Sequence, residues 1–247
     1  NVKRMFKLLV MSRTYRQASI VSDSLQQQDP RNVLFARQSR FRLPAEMIRD
    51  TALSVSELLV SEYGGASIKP YQPSGYYRHL NFPKRRYAYH ADKRQWRRGV
   101  YVHWQRQFLH PMLKAFDAPS REECAAQRPT SNTPLAALVL LNDPTFVEAA
   151  RGLAQRLLNH DDGDDHSRLR FAFRIVTSRE PDETELDTLI SLLTSARRDY
   201  QDDPEAAASL LSIGEHPIEK RTKHTELAAW TALARVLLNL SETTTRQ

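Results

Sequence analysis

The chain has 247 residues, of which 40% are hydrophobic, and a formal net charge of +7. No apolar run approaches the roughly 18 residues that a membrane span requires. The single cysteine, Cys124, excludes an internal disulfide framework, a CxxCH haem attachment site and a cysteine-based zinc cluster within this chain. Few glycines and scattered β-branched residues favour helix over sheet. The chain opens on Asn1 directly before an amphipathic stretch, which predicts a piece of a longer protein that is truncated at its N-terminus.

The charge is unevenly distributed between two halves of the chain. Residues 1–130 hold 23 Lys and Arg against 10 Asp and Glu, whereas residues 131–247 hold 13 against 19. A basic half joined to an acidic half can attract a polyanion, or the two halves can neutralise each other across an interface. Both interpretations remain open at this point.

The N-terminal region predicts two helices separated by a polar loop. Residues 2–19 carry Phe6, Leu9 and Val10 on one face with basic residues around them. Residues 22–28 are polar and predict the loop, and the pair at 29–30, an aspartate followed by proline, predicts the next helix start.

A well-patterned helix is predicted to begin at Leu43–Pro44 and to end at Gly64–Gly65. Glycine supplies the positive φ that helix ends require. The predicted inner face of this helix comprises Met47 or Ile48, with Ala52, Val55 and Leu59.

Residues 66–95 form an irregular stretch that is rich in proline and aromatic residues. Disordered segments are poor in aromatic residues, so an ordered excursion is predicted. Residues 96–108 fit either a strand by propensity or a helix by spacing, and the spacing favours helix. Ser120 and Glu123 fit a capping box, which predicts a short helix through Ala126.

The stretch 130–158 predicts two consecutive helices in the core. Thr133 before Pro134, and Asp143 before Pro144, each place a capping side chain ahead of a proline at the first helical position. The first helix is predicted to bury Leu135, Leu138 and Val139. The second is predicted to bury Phe146, Val147, Ala150, Leu153, Ala154 and Leu157.

The acidic C-terminal region predicts four further helices after an exposed acidic turn at 161–165. They cover residues 166–177, a segment opening at Pro181 or Asp182, a short segment opening at Asp203–Pro204, and roughly 225–240. The predicted buried residues of the last helix are Leu227, Trp230, Leu233, Ala234 and Leu237. The complete prediction is an all-α fold of about eight helices in one domain over 1–247.

Several blocks, taken together and in order, resemble one protein family. They are SRTYRQ (12–17), DPRN (29–32), the stretch from 42 to 50, GG (64–65) with PYQP (70–73), RR (97–98), FDAP (116–119) with RE (121–122), NTPL (132–135), LLNDP (140–144) with FVEA (146–149), ELAAW (226–230) and LLNL (237–240). They resemble the C-terminal domain of planctomycete cytochrome c-associated multidomain proteins, the domain-of-unknown-function 1553 family. The chain departs from the usual pattern of that family at Ala136, Gln127 and His103.

The resemblance carries no activity, because the family has none established. It implies an extracytoplasmic location, periplasmic or secreted, and haem c on a separate upstream cytochrome c-like domain. That domain and others of the same polypeptide are the implied partners. The function that follows is a non-catalytic structural or interaction domain, and docking against the haem domain is a further possibility.

The segment 76–108 is the strongest candidate for a binding site. It carries nine Lys and Arg, one acid and nine aromatic residues, a mixture that suits sulfates, phosphates and sugar faces. The candidate binding residues are Arg78, Arg85, Arg86, Arg94, Trp96, Arg97, Arg98, Trp104, Arg106 and Asp117. The alternative function is therefore binding or processing of an acidic or sulfated polysaccharide. The alternative structural role is an internal staple in which arginines stack on rings and pair with acids.

Other chemistries find weaker support in the sequence. No nucleic-acid motif is present, and half of the chain is acidic, which argues against nucleic acid. Histidines 79, 90, 103 and 110 have no metal-ligand spacing, and the acidic turn lacks a calcium-loop pattern. No catalytic constellation is recognisable around Ser12, Cys124 or Glu122–Glu123, so whether the chain is an enzyme stays open. Asp117, beside the basic segment, is the one carboxylate to test early; its structural alternative is a turn residue.

Overall fold

The computed structural model describes residues 1–80, 84–160, 163–219 and 222–246. These residues contain eleven α-helices and one two-stranded sheet, so the predicted all-α fold is confirmed. The chain divides into two compact units, one of Asn1–Leu43 with Thr244–Gln247 and one of Pro44–Thr243. Within the described ranges, no helix has the length and apolarity needed to cross a membrane.

The small unit contains two helices and the sheet. Helix α1 spans Val2–Val10 and α2 spans Asp23–Gln28, while β1 (Phe41–Arg42) pairs antiparallel with β2 (Thr245–Arg246). The Arg246 guanidinium lies 4.3 Å above the ring of Tyr15, which joins the sheet to the segment after α1.

The structure corrects three predictions in this unit. The helix predicted over 2–19 ends at Val10, and the polar stretch predicted as a loop forms α2, whose N-cap Ser22 accepts from the Leu25 amide. No helix starts at Asp29, because its carboxylate instead accepts from the amides of Val33 and Leu34 and closes a turn.

The large unit holds the remaining helices. They are α3 (Ala45–Val55), α4 (Pro111–Ala115), α5 (Pro134–Asn142), α6 (Pro144–Leu158), α7 (Asp165–Thr177), α8 (Glu183–Asp202), α9 (Pro204–Leu211), α10 (His224–Leu238) and α11 (Ser241–Thr244). Helix α10 packs against α6, α8 and α9 and forms the centre of the core. Its predicted inner residues are all buried, with Trp230 the largest.

The paired helix starts in the middle of the chain are confirmed. The Thr133 hydroxyl accepts from the Ala136 amide at the start of α5, and the Asp143 carboxylate accepts from the Thr145 amide at the start of α6. All six predicted inner residues of α6 are buried. The two helices are therefore positioned by their own capping side chains.

The predicted inner face of α5 is wrong. Leu135 and Leu138 are 59% and 55% exposed, whereas Ala136 and Leu140 are buried. Helix α5 is short and apolar nearly all round, so its sequence does not define which face turns inward.

The other capped helices start where the sequence predicts. Asp182 forms a capping box at the start of α8, and Asp203 caps α9. Helix α3 follows Pro44 and buries Ile48, while Met47 is exposed. Its predicted end at Gly64–Gly65 is wrong, because the helix ends at Val55, where Ser56 is the C-cap. Of the acidic turn predicted over 161–165, residues 161 and 162 lie outside the described ranges.

Two predicted helices between α3 and α5 are absent from the described chain. The stretch 96–108 contains only the end of one 3-10 helix (Lys93–Trp96) and a second one (Gly99–Tyr101). The stretch from Ser120 to Ala126 is irregular, and Cys124 is exposed there. In the first case the backbone finds partners elsewhere, since the Gly99 amide donates to the Asp50 carboxylate over 2.6 Å.

Candidate functional site

The aromatic and basic segment is held to the core by a buried arginine. The Arg97 guanidinium donates to the carbonyls of Glu62 and Gly64 and, over 3.1 Å, to the carbonyl of Ala66. It also lies 4.3 Å above the Tyr101 ring. Arg97 is 6% exposed, so it holds the backbone around the Gly64 turn and is not presented to solvent.

A second buried arginine, on helix α3, donates hydrogen bonds to the backbone of the same segment. Arg49 of α3 is fully buried and donates to the carbonyl of Arg97 over 2.6 Å and to that of Gln95. Burial lowers the pKa of Arg49, while the nearby Asp50 carboxylate opposes that shift. The irregular backbone is therefore fixed by side chains of the helical core, which compensates for its lack of regular structure.

A buried carboxylate joins the segment to two further parts of the chain. Oε1 of Glu148, on α6, accepts from the amides of Glu215 and His216 over 2.6 and 2.7 Å. Oε2 accepts from the Tyr71 hydroxyl over 3.1 Å and from Trp96 Nε1 over 3.0 Å. Glu148 is completely buried, and its charge is compensated by these four donors and by the buried Arg151 guanidinium, 3.9 Å from Oε1.

The segment encloses a cleft of about 600 Å³, which we call the cationic cleft. Its described lining comprises Gln72, Pro73, Ser74, Gly75, Tyr76, Tyr77, Arg78, Leu80, Lys84, Arg85, Arg86, Tyr87 and Tyr89. Four of these residues are cationic, and none of the described lining residues is acidic. A cleft lined by one sign of charge concentrates the field and attracts ligands of the opposite sign.

Tyrosine rings form the rigid part of the cationic cleft. The rings of Tyr77 and Tyr87 meet edge to face with centroids 5.3 Å apart, and Tyr76 meets Phe108 at 6.1 Å. The Tyr87 hydroxyl donates to the Pro70 carbonyl over 2.6 Å. Burial raises the pKa of Tyr76, Tyr77 and Tyr87, so these phenols stay neutral at physiological pH.

The cationic groups of this cleft are exposed to solvent. Arg85 donates to the side-chain oxygen of Gln105 over 2.6 Å, which orients its guanidinium. Arg78, Lys84 and Arg86 have no carboxylate within ion-pair distance among the described residues. Three charges are thus available to a ligand and a fourth is oriented by a neutral partner.

A second cleft of about 610 Å³ adjoins the first, and we call it the acidic cleft. Its lining comprises Tyr71, Gln72, Pro73, Tyr89, Pro111, Met112, Leu138, Val139, Asn142, Asp143, Pro144, Ser212, Ile213, Gly214 and Glu215. Two of these residues are acidic, and none of the described lining residues is Lys or Arg. Gln72, Pro73 and Tyr89 line both clefts.

The structure divides the ten predicted binding residues into groups. It brings Arg78, Arg85 and Arg86 together in the cationic cleft, with Lys84 as a fourth cation that the prediction did not single out. Trp96 and Arg97 make the internal contacts described above. Two more, Arg94 and Arg98, are exposed and pair with nearby aspartates of the same unit.

The last three predicted residues lie outside the lining of both clefts. Trp104 carries the Arg121 guanidinium 3.9 Å above its ring, and Arg106 is exposed. Asp117 has a φ of 59° and accepts from the amide and the hydroxyl of Ser131 over 2.7 and 2.8 Å. These contacts suit a turn residue.

The described residues contain no group of three or more His, Cys, Asp or Glu that could hold a metal ion. Nε2 of His110, one of the clustered histidines, donates to the Tyr71 carbonyl over 2.7 Å. Burial lowers the pKa of His110 to about 4, so the ring is neutral at physiological pH.

Sequence reasoning missed both Glu148 and the acidic cleft. Glu148 was detectable as a charge on the buried face of the otherwise apolar start of α6, since an inward carboxylate requires partners. The acidic cleft had no comparable signal. Asp143 and Glu215 are far apart in sequence, and each is typical of a helix cap or an exposed loop.

The fold and the site define the large unit as a helical unit with an irregular aromatic excursion and two adjoining clefts of opposite charge. The sequence model of a family described as PSD1, a protein of unknown function (DUF1553), matches residues 1–193. The chain therefore belongs to this family, as its sequence motifs indicate. The motifs at 226–230 and 237–240 lie beyond the matched residues. No curated protein and no solved structure is significantly similar to the chain.

Proposed function

We propose that this chain is a non-catalytic interaction domain that binds an acidic or sulfated polysaccharide in the cationic cleft. The observation that carries the proposal is the grouping of Arg78, Lys84, Arg85 and Arg86 on a tyrosine-lined cleft without a described acidic residue. A cleft of about 600 Å³ has the size of an ordinary ligand site.

The chemistry of the lining suits a sugar that carries sulfate or carboxylate groups. Guanidinium groups donate paired hydrogen bonds to planar or tetrahedral oxyanions, and an ammonium group adds a point charge. The exposed Tyr89 ring provides apolar surface for the CH face of a sugar ring. Because the cations are exposed, their attraction is screened by salt, and binding should weaken as ionic strength rises.

The cellular context is proposed from the family resemblance. We propose that the domain acts outside the cytoplasm, in a polypeptide whose upstream cytochrome c-like domain carries the haem and is the partner of this domain. One cysteine, Cys124, cannot supply the two thioethers of a haem c attachment. A signal peptide and a CxxCH motif in the upstream part of the gene would support this context, and their absence would contradict it.

Binding is tested by retention on immobilised heparin, a sulfated polysaccharide, with dextran as the uncharged comparison. A variant with Arg78, Lys84, Arg85 and Arg86 all replaced by Gln should lose retention at 0.1 M salt. A charge-matched control replaces Lys3, Lys7, Arg13 and Arg16, which are exposed in the small unit.

The proposal requires retention by the wild type that falls with salt and survives in the control variant. Equal loss in both variants would show a general charge effect and would contradict the cleft assignment. Equally tight retention on DNA-cellulose would favour a nucleic acid instead. The non-catalytic part fails if the domain hydrolyses glycans, sulfate esters or peptides and Asp117→Ala abolishes that activity.

A further inference from the structure

The acidic cleft has an aromatic wall and an apolar floor. The rings of Tyr71 and Tyr89 stand 5.2 Å apart at an angle of 57° and form the wall. Met112, which is fully buried, lies at the floor. Leu138 is more than half exposed and lies at the rim. The exposed Tyr89 and Leu138 side chains offer apolar contact to the CH groups of a ring-shaped ligand.

The polar groups of this cleft accept hydrogen bonds. Asp143 and Glu215 contribute carboxylates, and one oxygen of Glu215 accepts from the Tyr89 hydroxyl over 3.2 Å. The side-chain oxygen of Gln72 is buried and has no hydrogen-bond partner among the described residues. One Asp143 oxygen already accepts from the Thr145 amide, which leaves the other for a ligand. Two carboxylates without a lining cation favour a ligand that donates hydrogen bonds, and they repel a ligand that carries an anion.

The position of the cleft narrows the class of ligand further. Gln72, Pro73 and Tyr89 separate the acidic cleft from the cationic one, and all three line both. A chain molecule bound in the cationic cleft would meet the acidic cleft as its neighbouring site. A polymer in which anionic sugar rings alternate with uncharged or amine-bearing rings satisfies both clefts.

We propose that the acidic cleft is a second subsite, which holds an uncharged or amine-bearing sugar ring against Tyr89 with its hydroxyl or ammonium groups donating to Asp143 and Glu215. The sugar class rests on the proposed function, whereas the requirement for a donor-rich ring rests on the acidic cleft alone. The ligand would then be a polysaccharide in which anionic rings alternate with uncharged or amine-bearing ones.

The test measures binding of two oligosaccharides to the 247-residue chain by titration calorimetry. The probes are a glucosamine hexamer, which donates through ammonium and hydroxyl groups, and cellohexaose, which donates through hydroxyl groups only. The double variant Asp143→Asn, Glu215→Gln keeps both side-chain volumes, and asparagine remains a good N-cap for α6. Leu138→Arg, on an exposed position of α5, is a second variant that places a cation at the rim.

We expect at least one probe to bind and both variants to weaken its binding about tenfold or more. Loss confined to the glucosamine hexamer identifies ammonium recognition, and loss with both probes identifies hydroxyl recognition. The control variant at Lys3, Lys7, Arg13 and Arg16 should bind these probes as the wild type does. Binding of a probe by a chain that is not retained on heparin would separate this inference from the proposed function. Absence of binding by both probes at millimolar concentration, or unchanged binding in both variants, would overturn it.

Discussion

The most informative perturbation of the structure is Glu148→Gln. The carboxylate accepts four hydrogen bonds, two from backbone amides through Oε1 and two from side chains through Oε2. Glutamine keeps the volume but replaces one accepting oxygen with an amide group that donates. Two of the four donors must then face another donor.

The cheapest rearrangement sets the expected cost. If the glutamine oxygen keeps the amides of Glu215 and His216, its NH₂ group faces Tyr71 and Trp96. The Tyr71 hydroxyl can rotate and accept, whereas Trp96 Nε1 can only donate and is left unpaired. One orphaned donor, the loss of charge-assisted bonds and the loss of the carboxylate that pairs with the buried Arg151 together cost about 2–4 kcal/mol. Glu148→Ala would cost more, since all four donors lose their partner.

Urea unfolding followed by tryptophan fluorescence measures this cost. All three tryptophans lie in the unit Pro44–Thr243, so the signal reports on the unit that contains Glu148. The matched control is Glu62→Gln, which breaks only the exposed ion pair with Lys93 and should change stability by about 0.5 kcal/mol or less. A Glu148→Gln variant within about 1 kcal/mol of the wild type would refute the four-donor assignment.

Two further predictions concern stability. Burial raises the pKa of Asp143 from 3.8 to about 6 in the folded chain. Ionised Asp143 therefore lowers the stability fully above pH 6, and this destabilisation disappears below pH 3.8, where the carboxyl is protonated in both the folded and the unfolded chain. Asp143→Asn should therefore gain stability relative to the wild type between pH 4 and 7, by at most about 3 kcal/mol in thermal unfolding, and a pH-independent difference would contradict the shift. Gly99→Ala should lower the free energy of unfolding by about 1–3 kcal/mol, because the new Cβ would lie 2.7 Å from the Glu46 carbonyl oxygen. The control Gly163→Ala, in open space, should be nearly neutral. Equal effects of the two substitutions in urea titrations would refute the close approach.

The sequence predicted the helices that begin with a capping side chain and a proline or with a capping box. Thr133, Asp143, Asp182 and Asp203 were each identified as helix starts, and the structure has a helix after every one. Local chemistry determines these starts, since a side-chain oxygen satisfies an amide only a few residues away. The same signals at Asp29–Pro30 and at Ser120 with Glu123 are followed by no helix, so local chemistry alone does not decide every start.

The irregular segment could not be predicted in the same way. Spacing of apolar residues favoured a helix over 96–108, but tertiary contacts override that preference there. The buried Arg49 guanidinium donates to a backbone carbonyl of the segment, and the buried Arg97 guanidinium donates to a carbonyl of the Gly64 turn. The Asp50 carboxylate accepts from the Gly99 amide. These partners are more than 30 residues away along the chain, so no local pattern reveals them.

The candidate site was predictable in part. Composition located the cations and the rings between 76 and 108, but it gave no means of separating binding residues from structural ones. The structure shows that Arg97 is internal while Arg78, Arg85 and Arg86 share a cleft. Burial makes that distinction, and burial follows from tertiary packing.

The central claim is that an acidic polysaccharide binds in the cationic cleft, and amide chemical-shift mapping with a heparin hexasaccharide tests it most directly. We expect the largest changes to fall on described residues of 72–89, to saturate with added ligand and to disappear in the four-cation Gln variant. Changes centred on exposed cations elsewhere, such as those around Arg13, or spread evenly over the basic residues, would contradict the claim.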